Sequence, residues 1–480
     1  VSAAEASENT GSGIMRRFVV YIGTRLKRFS RLRVPVRPPA PHRMRAAVLI
    51  LGVLNIGYLL GAAVMHFQLP TSDFLDKAFG GARGWYERGR STLPVLSSHE
   101  VAAARQREGI SVDRADKTAD GFTLYTLTDG SRAVLIDMRG SVVHTWELPF
   151  RRAWPDPSHI ESPLPDDHVH WFRCHLYPNG DLLAVYQSDG DTPYGYGLVK
   201  LNKESKLLWA YANNVHHDVD VGADGTIYTL SHRIVTRAPA GLEFLDPPYL
   251  ADSLVVLSPD GRELQTVPIA EAFADSAYAL TLTARSKEPV GPVREADPIH
   301  ANGIRVLNPT LAAKFPLFKP GQVLVSVRSL DTVAVLDRDA RRVVWAARGV
   351  WKAQHDAEFL DNGRLLLYDN AGSAEHSRVL EYDPLTQAIP WAYANENSTR
   401  FRALTRGTKQ RLWNGNTLIV DPDNRRIFEV TSGKQLVWEI FCPLPSAPQN
   451  RPVRSHAITG ARRYAADGLT FLNGVAQARP

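Results

Sequence analysis

The chain has 480 residues, 44% apolar and 22% charged, a composition that belongs to folded globular proteins and excludes a disordered one. Its net charge of +6 is unevenly placed: residues 1–45 carry ten Lys/Arg against Glu5 and Glu8, a net of +8, which leaves the remainder at −2. A near-neutral body behind a basic tail excludes nucleic-acid binding by that body.

Residues 1–45 read as a basic cytoplasmic tail. Within it, residues 14–33 (IMRRFVVYIGTRLKRFSRLR) alternate apolar and basic residues at near-helical spacing, the pattern of an interfacial helix on an anionic leaflet. From Ala46 to Phe67 there follow 22 residues without Lys, Arg, Asp or Glu, enough to cross a hydrocarbon core of roughly 30 Å as a single transmembrane helix. Basic residues before it and Asp73 and Asp76 after it predict a cytoplasmic amino terminus, with the rest of the chain outside, in the periplasm or its equivalent. A cleaved signal peptide is the competing reading, but its apolar core usually runs only about 7–15 residues. Residues 68–120 read as a short stalk or linker, with a helix over Phe74–Arg90.

Residues 121–480 change in texture. Short β-rich runs recur between turns such as Pro-Asn-Gly, Ala-Asp-Gly, Pro-Asp-Gly and Asp-Asn-Gly. A strand ending in tryptophan repeats at Trp146, Trp209, Trp345, Trp391 and Trp438, with a degenerate copy at 262–269. Six copies, each holding several strands, predict an all-β, six-bladed β-propeller, with the tryptophans packed between blades. Two insertions, residues 233–252 and 270–297, are too long for hairpin loops; Ala270–Leu282 reads as a short helix over one propeller face. Cys174 and Cys442 lack metal-site spacing, and their separation does not decide whether they pair.

Three successive blades open with a histidine flanked by amide or carboxylate neighbours: His216-His217-Asp218, His300-Ala301-Asn302 and Gln354-His355-Asp356. Arg328 ends the run VLVSVR, where a channel-facing guanidinium needs an anionic partner. Arg411 and Asn414 occupy the related place in the sixth blade, and His175 the one in an earlier blade. Asp369-Asn370 ends the apolar run after His355. Such a ring can bind an oxyanion, or use one histidine as nucleophile and others as acid and base. It can also ligate a metal through His175, His217, His300 and His355, or remain a structural channel satisfied by water.

The motifs HHD (216–218), HxN (300–302), SVR (326–328), QHDAEFLDNGRLLLYDN (354–370) with SR (377–378), and QRLWNGNTLIVD (410–421) resemble, in order and spacing, the arylsulfotransferase family of six-bladed propeller enzymes. The resemblance implies sulfuryl transfer from a phenolic sulfate ester to a phenol acceptor, without nucleotide or other cofactor and without metal. It implies that His355 is the nucleophile, sulfated in turnover, and that His217, His300 and Arg328 bind sulfuryl oxygens and move protons. Asn302, Asp369 and Asn370 are then substrate-binding candidates. A departure is that the best-known bacterial members carry an extra amino-terminal β-domain, where this chain has a transmembrane helix and stalk. That departure keeps an alternative open, in which an inactive propeller is a membrane-anchored scaffold within a larger membrane complex.

Overall fold

The computed structural model describes residues 98–472 apart from 190, 192, 246, 284–296, 373–375, 395–401, 404 and 445–455, together with residue 52 and residues 55–60. Residues 1–83 and 84–480 form two separate units. In the first, residues 52 and 55–60 are helical; the rest of the expected span at 46–67, the interfacial helix at 14–33 and the helix at 74–90 lie outside the described residues. No helix among the described residues is long and apolar enough to cross a membrane.

In the second unit, local turn chemistry sets the hairpins. At Asp361-Asn362-Gly363 the glycine takes φ +79°, a conformation that only glycine adopts without a steric penalty. The Leu360 N–H then reaches the Arg364 carbonyl at 2.8 Å and the Gly363 N–H the Leu360 carbonyl at 3.2 Å. Gly180, Gly225 and Gly415 close the equivalent turns of three other blades at φ +82° to +88°.

These hairpins build six antiparallel sheets. Blade one holds Phe122–Leu127, Arg132–Ile136 and Val142–Glu147; blade two runs from Val169–Leu176 to Leu207–Tyr211. Blade three runs from Val215–Val221 to Glu263–Pro268, and blade four from Ala301–Val306 to Arg342–Arg348. Blade five runs from His355–Phe359 to Trp391–Tyr393, and blade six from Lys409–Arg411 to Leu436–Phe441. The ring is closed twice. Ile458–Tyr464 supplies the inner strand of blade one, Phe122 opposite Tyr464. Gly109–Asp113, in the segment expected to be stalk, adds a fifth outer strand to blade six.

Period-2 alternation explains the core, because successive side chains of a strand face opposite neighbours. Leu365 and Leu367 pack towards blade four, Leu366 and Tyr368 towards blade six. Strands covered on both faces therefore read as continuous apolar runs. A hydrophobic cluster fills each of the six junctions between blades. The repeated tryptophans sit on the outer strands, and three of them tie a blade to the next: the indole N–H of Trp146 donates to the Gly180 carbonyl, that of Trp391 to Ser432 and that of Trp438 to Met138.

The first insertion forms a long hairpin extension, with Val235 paired to Tyr249 and His232 to Asp252. The second begins as the helix Ile269–Ala274 and a short 3-10 turn at Ala279–Thr283. Phe273 anchors that helix in the junction between blades three and four. Cys174 and Cys442 are both free thiols.

Candidate active site

The inner strands do not run straight through the channel. Register breaks fall at their starts, passing over Phe172 in blade two, His217 and Asp218 in blade three, Asn302 in blade four and Asp356 in blade five. Bulges of this kind re-aim side chains. His217 and His300 take left-handed backbone, at φ 58° and 49°, a conformation that non-glycine residues hold only where the surroundings impose it.

Next to these residues the channel is lined by charge. Arg305 bridges Asp218 and Asp356 at 2.7 Å each, and Lys409 lies 3.5 Å from Asp356 and 3.4 Å from Glu358. Burial works against the Asp356 charge, but Lys409, Arg305 and Arg173 together hold it well below the usual carboxylate range. Carboxylates also cap neighbouring strands: Asp218 accepts from the Ile304 N–H and Asp356 from the Lys409 N–H, both at 3.0 Å. The histidines gather at the mouth beside this charged layer.

His355 is the most constrained of them. Asn370 donates its amide to the carbonyls of Ala403 at 2.9 Å and Arg406 at 2.7 Å. That orients its Oδ1 towards His355 Nδ1, 2.7 Å away, with the Ala353 carbonyl at 3.1 Å. Two acceptors put the ring proton on Nδ1 and leave the lone pair on Nε2. Burial, then the Arg328 charge, hold the His355 pKa well below the ordinary histidine value, and the Asn370 bond offsets this only in part. The imidazole is neutral near pH 7.

His300 Nδ1 meets Asp297 Oδ2 at 2.6 Å, and the Tyr194 hydroxyl donates to the same oxygen at 3.1 Å. The His217 and His300 rings pack edge to face with centroids 4.9 Å apart, and Tyr194 lies 5.4 Å from His217 and 5.9 Å from His300. Burial, followed by the neighbouring imidazoles, lowers the His217 pKa well below its ordinary value. Arg328 is buried where its strand ends, and its backbone N–H donates to the His300 carbonyl at 3.0 Å. Asn302 donates to the Gln354 carbonyl at 2.9 Å, tying blade four to the segment ahead of His355.

Four expected residues lie elsewhere. Asp369 has both oxygens engaged by its own blade, accepting from the N–H groups of Lys352 and Gly372 at 2.9 and 2.8 Å and from Arg378 Nε at 2.9 Å. It braces the loop that carries Lys352 and Gly372. Arg411 pairs with Glu381 at 2.6 Å and stacks over Trp391, while Asn414 sits in a turn beside Lys117 and Glu429. The strand start in blade two carries His170, not His175. His170 lies 3.7 Å from Asp189, which also accepts from Arg406 at 3.2 Å.

His175 is five residues further along, where burial and the charges of Arg462, Arg305 and Lys200 push it down to about 3. The unfolded chain protonates this histidine near pH 6.5 and the folded one does not, so its stabilising contribution is present above about pH 6.5 and is lost as pH falls towards 3. His175→Gln is therefore expected to flatten the decline of the urea midpoint between pH 6.5 and 4 while sulfuryl transfer changes little. An unaltered decline would count against it.

The four-histidine metal set of His175, His217, His300 and His355 is thereby dispersed. Among the described residues another trio, His216, His232 and Asp252, brings ligand-type atoms within 4.8 Å of one another. The Gly195 N–H donates to His232 Nε2 at 3.1 Å, which places the ring proton on Nδ1 and removes the lone pair a metal would need there.

The family model of the arylsulfotransferases (ASST) matches residues 173–442, more than half of the chain and all of His217, His300, Arg328 and His355. The chain belongs to the arylsulfotransferase family. This arylsulfotransferase also resembles solved structures at low identity. A Bacteroides caccae protein of unknown function is 11% identical, with 67% of this chain and 93% of that one covered and a TM-score of 0.42. Virginiamycin B lyase from Staphylococcus aureus is 8% identical, with 55% and 68% covered and a TM-score of 0.31. Among curated proteins nothing matches. Tyr194, Asp297, His170 and Asp189, all at the mouth of this arylsulfotransferase, were missed from sequence; only Asp297, three residues before His300, offered a local signal.

Proposed function

We propose that this arylsulfotransferase moves a sulfuryl group directly from an aryl sulfate to a phenol, without a nucleotide donor, through a sulfated His355. The observation that carries the reading is the Asn370 bond to His355 Nδ1, which leaves a neutral imidazole with its Nε2 lone pair available. In the first half-reaction Nε2 attacks sulfur and the bond to the phenolic oxygen breaks. Arg328 takes the charge that spreads over the non-bridging oxygens, and His217 or His300 supplies the proton to the leaving phenoxide. In the second, an acceptor phenol attacks the sulfated histidine, loses its proton to the same group, and restores neutral His355. Ping-pong kinetics follow.

The test is incubation with 4-nitrophenyl sulfate alone. Release of one equivalent of nitrophenol and a sulfuryl mass increment on the peptide holding His355 are expected, discharged when a phenol is added. Protein that leaves the donor intact but co-purifies with membrane proteins through residues 14–67 would favour the scaffold alternative.

We further propose that the propeller lies outside the cytoplasmic membrane, on the basis of the charge-free run at 46–67 and the basic residues before it. A reporter fused after Pro480 should function only if exported; cytoplasmic activity there would refute the orientation.

A further inference from the structure

Successive side chains of a strand normally point to opposite faces, yet His216 and His217 meet ring to ring. The left-handed backbone at His217, φ 58°, turns it back so that the two Nδ1 atoms lie 2.8 Å apart. At that distance one proton sits between two nitrogens. His216 is fully buried, and its Nε2 stands 3.3 Å from Asp252 Oδ1, itself fully buried. Neither atom has a hydrogen-bond partner, so the contact is of ion-pair distance without hydrogen-bond alignment. An unaligned carboxylate of this kind stabilises a charge on His216 more than it orients a neutral ring. Asp252 is held in place by the Ala301 N–H, which donates to Oδ2 at 2.6 Å.

We propose that Asp252 and His216 form a proton relay behind His217, so that the His216–His217 pair, and not His217 alone, gives up and recovers the phenolic proton. The inference rests on the sulfuryl-transfer reading above and assigns His216 and Asp252 as positioning residues.

The reaction has one proton to carry from acceptor to leaving group. In the reactive state the pair holds it, against the burial and neighbouring imidazoles that lower the His217 pKa: His217 bears hydrogens on Nδ1 and Nε2, and His216 Nδ1 accepts. As the sulfur–oxygen bond of the donor breaks, His217 Nε2–H passes its proton to the leaving phenoxide. As the acceptor oxygen attacks sulfur and the bond to His355 Nε2 breaks, His217 Nε2 takes the acceptor's proton. Before the first event and after the second, the excess charge is shared with His216 across the Nδ1 contact and faced by Asp252; between the two events the pair is neutral. Its other charged or titratable neighbours are Tyr194, His232, His300, His355, Asp297 and Arg328. The imidazoles and Arg328 oppose a positive charge. Asp297 and, at the far end of the pair, Asp252 are the carboxylates placed to offset it.

Asp252→Asn and His216→Gln test this with donors of graded leaving-group basicity. A relay that protonates the leaving oxygen matters most for a strongly basic phenoxide, where about a 10- to 100-fold loss is expected, within the usual reach of general acid catalysis. With 4-nitrophenyl sulfate, whose phenoxide leaves unaided, formation of sulfated His355 should be unchanged. Asp252→Glu should restore part of the loss. Matching unfolding midpoints separate this from misfolding, and His216→Gln stands in if Asp252→Asn does not fold. Equal losses on every donor, with the adduct still formed, overturn the relay while leaving the sulfuryl reading intact. No adduct in the unmodified protein overturns both. A stoichiometric transition metal in the purified protein that disappears in Asp252→Asn also overturns it, assigning the cluster to a metal instead.

Discussion

His355→Ala is expected to abolish both half-reactions: no donor cleavage, no sulfated peptide and no transfer, a fall of more than about 10⁴-fold, the order that follows loss of the nucleophile in a covalent route. Removal leaves the oxyanion-binding groups in place, but nothing to split the transfer into two steps. The fold should tolerate the change, because Asn370 keeps its bonds to the Ala403 and Arg406 carbonyls and the inner strand of blade five stays paired with Leu365–Asp369. Intact mass after donor alone, read beside the thermal midpoint, checks it. Donor cleavage that survives His355→Ala but vanishes in His217→Ala or His300→Ala would give the nucleophile to another histidine. If none of the three changes anything beyond stability, the mouth is structural and the scaffold reading prevails.

Arg328→Lys should lower turnover by about 10²–10³-fold, the usual consequence of losing an oxyanion-stabilising donor. Lysine preserves the charge but not the planar fork that holds two sulfuryl oxygens at once. Charge and fork can be separated by pH. Arg328 is the second-largest influence keeping His355 unprotonated. With lysine the acid limb of kcat/KM should therefore stay where it is. With methionine the charge is gone, the His355 pKa rises, and the acid limb moves towards neutral pH as more of the nucleophile is protonated. Turnover of Arg328→Lys within a few-fold of the parent would remove Arg328 from the transition state.

The family's motifs carried the centre of this site. His217, His300 and His355 start successive inner strands and meet at one mouth. What surrounds them was less legible. Asp369 and Asn370 are adjacent and chemically alike as hydrogen-bonding partners, yet one braces a loop through Arg378 and the other sets the His355 tautomer. His170 and His175 stand on one strand, and the sequence reading chose the one away from the mouth. Asp252 belongs to the segment read as an over-long loop, and His232 immediately precedes it. Pairing across its extended hairpin is what brings them beside His216.

The division follows the range of the forces involved. Alternating apolar residues, left-handed glycine turns and a tryptophan on five of the six outer strands act within a hairpin or between consecutive blades, so the sequence by itself determined an all-β ring of six blades and the order of its histidines. Only the tertiary structure decided which polar neighbour faces the channel, because register breaks of one or two residues and left-handed φ values at His217 and His300 rotate side chains without changing the pattern of residue types. The same holds for ring closure: strand Ile458–Tyr464 lies beside Phe122–Leu127 across more than 300 residues of chain. No local propensity marks that pairing; it forms because closure satisfies the exposed edge of blade one.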